Sequence, residues 1–139
     1  MGKYQREKGK RGEREFCRYL RKRGYGAIRS AQHSGTSAFN DSADVITSMQ
    51  DRVRWEVKKG YNDVPFWTAE FREWIATARD ETPDGQLWAL AWTPDYVSEF
   101  YFVLEGPNGG FVIVRNFDTV ESALNVSDYK VEDPESWPE

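Results

Sequence analysis

Residues 53–58 read Val-Arg-Trp-Glu-Val-Lys, and apolar side chains alternate with charged ones along this stretch. An alternation with a period of two is typical of a half-buried β-strand. Side chains two positions apart project from the same face of a strand, so Glu56 and Lys58 are expected to point together, away from the face of Trp55. The stretch therefore predicts a strand that carries a carboxylate and an ammonium group on one face.

Helical and strand patterns alternate on both sides of this segment. The N-terminal half is predicted to contain a mobile basic arm (1–11), a helix (12–23), a strand (25–29), a polar loop (31–42), a strand (43–47) and the strand of residues 53–58. The C-terminal half is predicted to contain a helix from about residues 62–65 to 79, strands at 87–92, 99–104 and 111–114, a short helix (119–124) and an acidic tail (126–139). Asp118 is expected to cap the short helix, with Glu121 at the capping-box position. No repeat or linker divides the chain, so residues 1–139 are expected to form a single domain with a mixed α/β or α+β fold.

Composition excludes several classes of protein. Cys17 is the only cysteine and His33 the only histidine, which excludes an internal disulfide, a multi-cysteine zinc site and a paired-histidine zinc helix. No apolar run approaches the roughly 20 residues that span a bilayer, and the polar N-terminus does not resemble a signal peptide. We therefore expect a cytoplasmic protein with no membrane partner, kept in a reducing compartment.

Charge is distributed unevenly along the chain, whose net charge is −4. Residues 1–30 hold eleven Lys or Arg against three acids, whereas the remainder holds eight against twenty. This asymmetry favours a polyanion such as a nucleic acid as the partner of the N-terminal part, although a solvated basic helix without a partner explains the same charges.

A second carboxylate, Asp44, lies on the preceding predicted strand. A turn at residues 48–51 is expected to join that strand to the Glu56 strand as a hairpin and to bring the two acids together. Two converging carboxylates repel each other unless a cation lies between them, and Mg²⁺ prefers oxygen ligands. Such a metal site, with Lys58 facing the attacking water or the developing phosphorane charge, contains the parts needed for phosphodiester hydrolysis. The alternative is a simple exposed ion pair between Glu56 and Lys58.

The first predicted helix supplies a further acid. On a helical wheel Glu13 shares a face with Phe16, Cys17 and Leu20, whereas Glu15 lies nearly opposite. An acid at the edge of an apolar face needs a partner, and a metal site or Lys58 is one candidate. The alternative is an acid that interacts favourably with the helix macrodipole.

The ordered set Glu13, Asp44 and Glu56-Val57-Lys58 resembles the signature of the PD-(D/E)XK nucleases. The stretch from Lys8 to Phe16, followed by Leu20, Gly24-Tyr25 and Ile28-Arg29-Ser30-Ala31, is similar to the archaeal-type Holliday junction resolvases, which also occur in phages. The resemblance covers roughly residues 8–60. It implies a restriction-endonuclease-like core, with a mixed central β-sheet flanked by helices, and a homodimer that cuts four-way DNA junctions with Mg²⁺, for which Mn²⁺ can substitute.

The resemblance also implies roles for individual residues. Glu13, Asp44, Glu56 and Lys58 would be catalytic. Asp44, Glu56 and the Val57 carbonyl would bind the metal, with Glu13 reaching it directly or through water. Arg14, Arg29 and Ser30 would lie near the scissile phosphate or the junction backbone. Other phosphates would be contacted by Lys8, Lys10 and Arg11.

Two departures from the family pattern concern residues 31–43. Ala43 replaces the usual proline, and the loop before it is longer than in compact members of the family. His33 in this loop is expected to touch DNA or water, with protonation of the leaving group as the alternative. The aromatic stripe from Trp67 to Ala78 is expected to be part core and part dimer interface.

The sequence is also compatible with two other functions. One is another PD-(D/E)XK endonuclease, of repair or restriction type, that acts on duplex, flap or single-stranded DNA, because one fold hosts many substrates. The other is a DNA-binding module without catalysis.

Overall fold

A computed structural model describes residues 3–30, 43–61, 66, 68–95 and 99–137, with the side chains described from residue 7 onward. The helices and longer strands, in chain order, are α1 (Lys3–Lys22), β1 (Ala27–Arg29), β2 (Val45–Thr47), β3 (Val53–Lys59), α2 (Ala69–Glu81), β4 (Leu87–Thr93), β5 (Tyr101–Glu105), β6 (Phe111–Val114) and α3 (Phe117–Leu124). Short 3₁₀ turns lie at Pro107–Gly109, Ser127–Tyr129 and Pro134–Ser136. No helix within the described ranges is long and apolar enough to cross a bilayer.

The four longer strands form a mixed sheet in the order β3-β4-β5-β6. β3 runs parallel to β4, and the other neighbours are antiparallel. The register places Glu56 beside Leu90 and Lys58 beside Trp92. The mixed α/β fold with helices flanking a mixed sheet is therefore confirmed.

The predicted hairpin between the Asp44 strand and the Glu56 strand is wrong. β2 pairs with β1 in a separate antiparallel ribbon, where Ile46 lies opposite Ile28. Between β2 and β3 the chain makes a turn that buries Met49 completely, and the Met49 carbonyl accepts the amide of Val53. The connection is thus anchored in the core instead of forming a tight hairpin.

Two aromatic cores lie on opposite faces of the mixed sheet. On one face α1 buries Phe16 and Leu20 completely, and the Phe16 ring lies 4.8 Å from the Trp55 ring between centroids. On the other face α2 packs Phe71 and Trp74 against strands β4 and β5. The buried members of the aromatic stripe thus belong to the core of this chain, while Trp67 lies outside the described residues.

Helix α1 begins at Lys3 and not at Gly12, so the predicted mobile arm is helical from Lys3 onward. Glycine at position 12 is an interior residue of the helix. A Cβ there would lie 2.8 Å from the Cβ of Lys59, so the absent side chain permits a close approach of α1 to β3. The prediction that the helix begins at Gly12 is therefore wrong, because this glycine is needed for the close packing of α1 on β3.

The other two helices also differ from prediction at their starts. The Thr68 hydroxyl accepts the Phe71 amide and caps α2, several residues after the predicted start. Asn116, not Asp118, caps α3 by accepting the Asp118 amide. Glu121 is not a capping-box acid, because its carboxylate accepts the Tyr25 hydroxyl at 2.6 Å.

The acidic tail packs on the end of α1 and the start of β1. The Val131 amide donates to the Gly24 carbonyl at 2.9 Å, and Glu135 lies 3.9 Å from the buried Arg21 guanidinium. The Trp137 ring covers Gly26 so closely that no Cβ fits between them. The described part of the tail therefore belongs to the folded structure.

We predict that Gly26→Ala lowers the free energy of unfolding by about 1–3 kcal/mol, because the new methyl group overlaps the Trp137 ring. Urea denaturation measures this change. Gly9→Ala is the matched control, since nothing lies within 4 Å of a Cβ at that helical position. It should stabilise the protein by up to about 1 kcal/mol. Equal effects of the two variants would contradict the packing of the tail.

Candidate active site

Asp44 and Glu56 meet where the β1–β2 ribbon touches the mixed sheet. Asp44 lies one residue before β2, and its Oδ2 accepts the backbone amide of Val57 at 2.8 Å. The Asp44 carboxylate is thereby held beside β3, although its strand does not pair with β3. Glu56 is the residue before Val57 on β3, and the negative charge of Asp44 acts on its carboxyl group and raises its pKa.

Both carboxyl groups hold their protons more tightly than usual. Burial raises the pKa of Asp44, against the lowering effects of the Val57 amide, of Lys58 and of Glu56. Burial, together with the negative charge of Asp44, raises the pKa of Glu56 to about 7, against the lowering effect of Arg54. Two buried acids that repel each other form a site that favours a proton or a cation between them.

Glu13 approaches the same pair from α1. Its pKa is raised by burial and by the charge of Asp44, while Arg29 and Arg14 lower it. The Arg29 guanidinium donates to Glu13 Oε1 at 3.0 Å. Glu15 lies elsewhere, where it accepts Lys59 Nζ at 3.0 Å. The structure therefore brings Glu13, and not Glu15, into the electrostatic surroundings of Asp44.

Lys58 lies on the α2 side of β3, with its ammonium 5.5 Å from the centre of the Trp74 ring. That distance is within the range of a cation–π interaction. The charge of Lys58 lowers the pKa of both Asp44 and Glu56. The strand thus presents an acid and a base to one side, as the alternation of residues predicts.

Arg54 is a member of this group that the sequence analysis missed. Its buried guanidinium forms an ion pair with Glu56 and a second one, at 3.0 Å, with Glu81 at the end of α2. Arg54 precedes Glu56 by two residues and so shares its face. That spacing was the available signal, but the alternation was interpreted as a half-exposed strand.

The described residues that are predicted to contact DNA lie on α1 and at the end of β1, and they differ in exposure. Arg11 and Arg14 are exposed on α1, and Ser30 is buried, with its amide donating to the Asp44 carbonyl. Lys8 donates to Asp95 at 2.9 Å, and Lys10 lies 3.8 Å from Glu7. His33 lies outside the described residues.

Across the part of the chain that the structure describes, no three His, Cys, Asp or Glu side chains stand close enough together to hold a metal ion. The charge of Asp44 raises the pKa of both Glu56 and Glu13, so the three acids act on one another through Asp44. The donor set is nevertheless suited to a divalent cation, because all three are oxygen ligands whose burial and repulsion disfavour their negative charges.

Comparisons with known proteins agree with the family resemblance of the sequence. Residues 4–70 match the family model described as archaeal Holliday junction resolvase (Hjc). This match covers just under half of the chain and includes Glu13, Asp44, Glu56 and Lys58. It confirms the predicted resemblance to that family over these residues.

A comparison with solved structures matched the Hjc of Archaeoglobus fulgidus, described as a Holliday junction resolvase from an archaeal hyperthermophile. The sequences are 22% identical, the alignment covers 92% of this chain and 98% of that one, and the TM-score is 0.45. A search of the curated proteins found no match.

We predict that the metal-free protein is less stable at pH 8 than at pH 5. The folded protein keeps the proton of Glu56 up to about pH 7, whereas the ordinary value is 4.5, so the unfolded chain releases it earlier. Stability from this group is therefore full below pH 4.5 and is lost as the pH rises through about 7. The raised pKa values of Asp44 and Glu13 act in the same direction.

Thermal unfolding in EDTA across this pH range measures the effect. Glu56→Gln is the control, because glutamine does not titrate and its stability should depend less on pH. A pH dependence that is identical in Glu56→Gln and the parent would contradict the assignment.

We predict that Arg54→Met lowers the free energy of unfolding by about 3 kcal/mol at pH 8, because it leaves the buried Glu56 without its cation. The loss should be smaller at pH 5, where Glu56 is protonated. Urea denaturation at the two pH values measures both effects. Glu81→Gln, which removes the more exposed partner of Arg54, should cost no more than about 1 kcal/mol. A pH-independent loss in Arg54→Met would count against the pairing.

Proposed function

We propose that this chain, which resembles the archaeal Holliday junction resolvases over residues 4–70, is a metal-dependent endonuclease that hydrolyses DNA phosphodiesters at four-way junctions. The single observation that carries the proposal is the buried contact of Asp44 with the Glu56-Val57-Lys58 strand. The family match supports a Holliday junction-resolving endonuclease. In this proposal residues 1–139 are one nuclease domain, the enzyme is located in the cytoplasm, and it acts as a homodimer whose two sites cut opposing strands.

Mg²⁺ is the proposed cofactor, with Mn²⁺ as a substitute. Asp44, Glu56 and the Val57 carbonyl would hold it, and Glu13 would reach it through water, since no described cluster of three acids is tight enough for direct ligation. When bound, the metal polarises the scissile phosphate and lowers the pKa of water. The fit rests on two acids whose pKa values are raised by burial and whose charges a cation would neutralise.

The chain's own side chains have distinct tasks in this mechanism. The Val57 amide fixes the Asp44 carboxylate, and Arg54 orients Glu56 from its other side. Lys58 keeps its ammonium beside the two acids, where it orients the attacking water or stabilises negative charge on the phosphorus oxygens. Arg29 holds Glu13 in place and remains partly exposed toward a phosphate.

The basic residues of α1 and the end of β1 would bind the DNA backbone. Arg11 and Arg14 are exposed and meet phosphates directly, whereas Lys8 would exchange Asp95 for a phosphate. Lys10, Arg29, Ser30 and His33 complete the proposed set of DNA contacts. Binding through several phosphates releases counterions, so affinity should fall steeply with salt.

We predict that Glu56→Gln lowers the rate of junction cleavage by at least about 100-fold while junction affinity changes little, because it removes a metal ligand and leaves the basic surface intact. Glu15→Gln is the matched control, since Glu15 pairs with Lys59 away from Asp44, and it should cut at the parental rate. Gel-based cleavage and binding of the same labelled junction provide the two readouts.

The substrate class is tested by digesting a four-way junction, a flap, a linear duplex and a single strand side by side with Mg²⁺ and with Mn²⁺. The proposal expects paired, symmetric cuts in the junction and little cutting of the duplex. Equal rates on junction and duplex would favour another endonuclease of the same superfamily. Tight binding without cutting in either metal would favour a DNA-binding module without catalysis.

A further inference from the structure

Tyr61 is an exposed aromatic residue three positions after Lys58, with Lys59 and Gly60 between them. Its side chain is 39% exposed, and among the described residues only Val112 is a comparably exposed large hydrophobic residue. A single exposed apolar side chain is ordinary in itself. Tyr61 is distinguished by its position beside the candidate active site and by its backbone conformation.

The backbone at Tyr61 has a conformation that costs free energy for a residue with a Cβ. Its φ is +61°, in the left-handed region that side chains other than those of Gly, Asn and Asp seldom adopt. The preceding Gly60 has a φ of +89° and is held on both sides, because its amide donates to the Thr93 carbonyl and its carbonyl accepts Trp92 Nε1. The sheet therefore imposes the conformation that turns the Tyr61 ring outward.

The Tyr61 ring is connected to the candidate active site through one side chain. Its centroid lies 5.2 Å from that of Trp74, edge to face, and the Trp74 ring lies 5.5 Å from the ammonium of Lys58. Because Trp74 is buried, both neighbours are supported by a rigid ring.

We propose that Tyr61 binds the DNA substrate by stacking its ring on a base face exposed at the branch point, and so positions the scissile phosphate relative to Lys58. This inference rests on the proposed function. Inside a duplex each base is covered by its neighbours, whereas the stack is interrupted at a branch. Aromatic side chains stack on exposed bases regardless of sequence. Tyr61 would thus contribute to the preference for branched over linear DNA.

The first experiment compares the affinities of variants for a four-way junction and for a linear duplex of the same arm sequence, in EDTA to prevent cutting. Tyr61→Asn removes the ring and retains a residue that tolerates the left-handed backbone. It should weaken junction binding about tenfold and leave duplex binding unchanged. Tyr61→Phe should bind both DNAs as the parent does. Val112→Ala, which trims the other exposed apolar residue on β6, is the control and should have no effect.

A second experiment uses the unaltered protein and does not depend on the folding of a variant. Junctions carry 5-iododeoxyuridine either at the branch point or in the middle of one arm, and ultraviolet light cross-links the base to an aromatic ring stacked on it. Peptide mapping should place the branch-point cross-link on Tyr61 and find none there for the arm position. A cross-link at a different residue, or equal yields at both positions, would overturn the proposal.

The outcomes separate this inference from the proposed function. If the parent binds and cuts junctions while Tyr61→Asn retains full junction affinity, stacking is refuted and the nuclease assignment stands. An equal loss for junction and duplex would also refute it, since Tyr61 would then be a general DNA contact. If the parent shows no preference for junctions over duplex, the proposed function and this inference both fail.

Discussion

The hydrogen bond from the Val57 amide to Asp44 is the contact on which the candidate site depends. It ties the β1–β2 ribbon to the edge of the mixed sheet at β3. An edge strand has free backbone amides, and here a side-chain carboxylate takes the place of a neighbouring strand's carbonyl. Because the bond is made by the residue next to Glu56, the link between the two parts of the fold also brings the two acids together.

This arrangement is costly in the absence of a cation. Burial raises the pKa of both carboxyl groups, and the charge of Asp44 adds to the effect of burial in raising the pKa of Glu56 to about 7. The aromatic packing on both faces of the sheet offsets that cost. Phe16 and Trp55 on one side and Phe71 and Trp74 on the other bury large apolar surfaces. The low polarity that stabilises the fold also raises the pKa values of the site.

Local pattern was sufficient to predict β3 and its polar face, because strand alternation depends only on neighbouring residues. Local pattern gave wrong predictions at positions whose structure depends on contacts with residues far away in sequence. Met49 is buried in a turn that looked like a hairpin connection, Gly12 lies inside a helix where α1 approaches β3, and Trp137 packs on a glycine far away in sequence. Arg54 was interpreted as half-exposed because its ion pairs with Glu56 and Glu81 require the position of α2.

Lys58 and Lys59 are neighbours on β3 but lie on opposite faces, one in the candidate site and the other in the packing of α1. Lys58 points toward Trp74 and the acids, whereas Lys59, on the opposite face, packs against Gly12 and pairs with Glu15. The close approach of Lys59 to Gly12 brings α1 onto β3, and α1 carries Glu13 toward Asp44. A one-residue slip of β3 would exchange the two lysines and would also remove the amide that binds Asp44. The register of this strand therefore determines both the packing of α1 and the assembly of the candidate site.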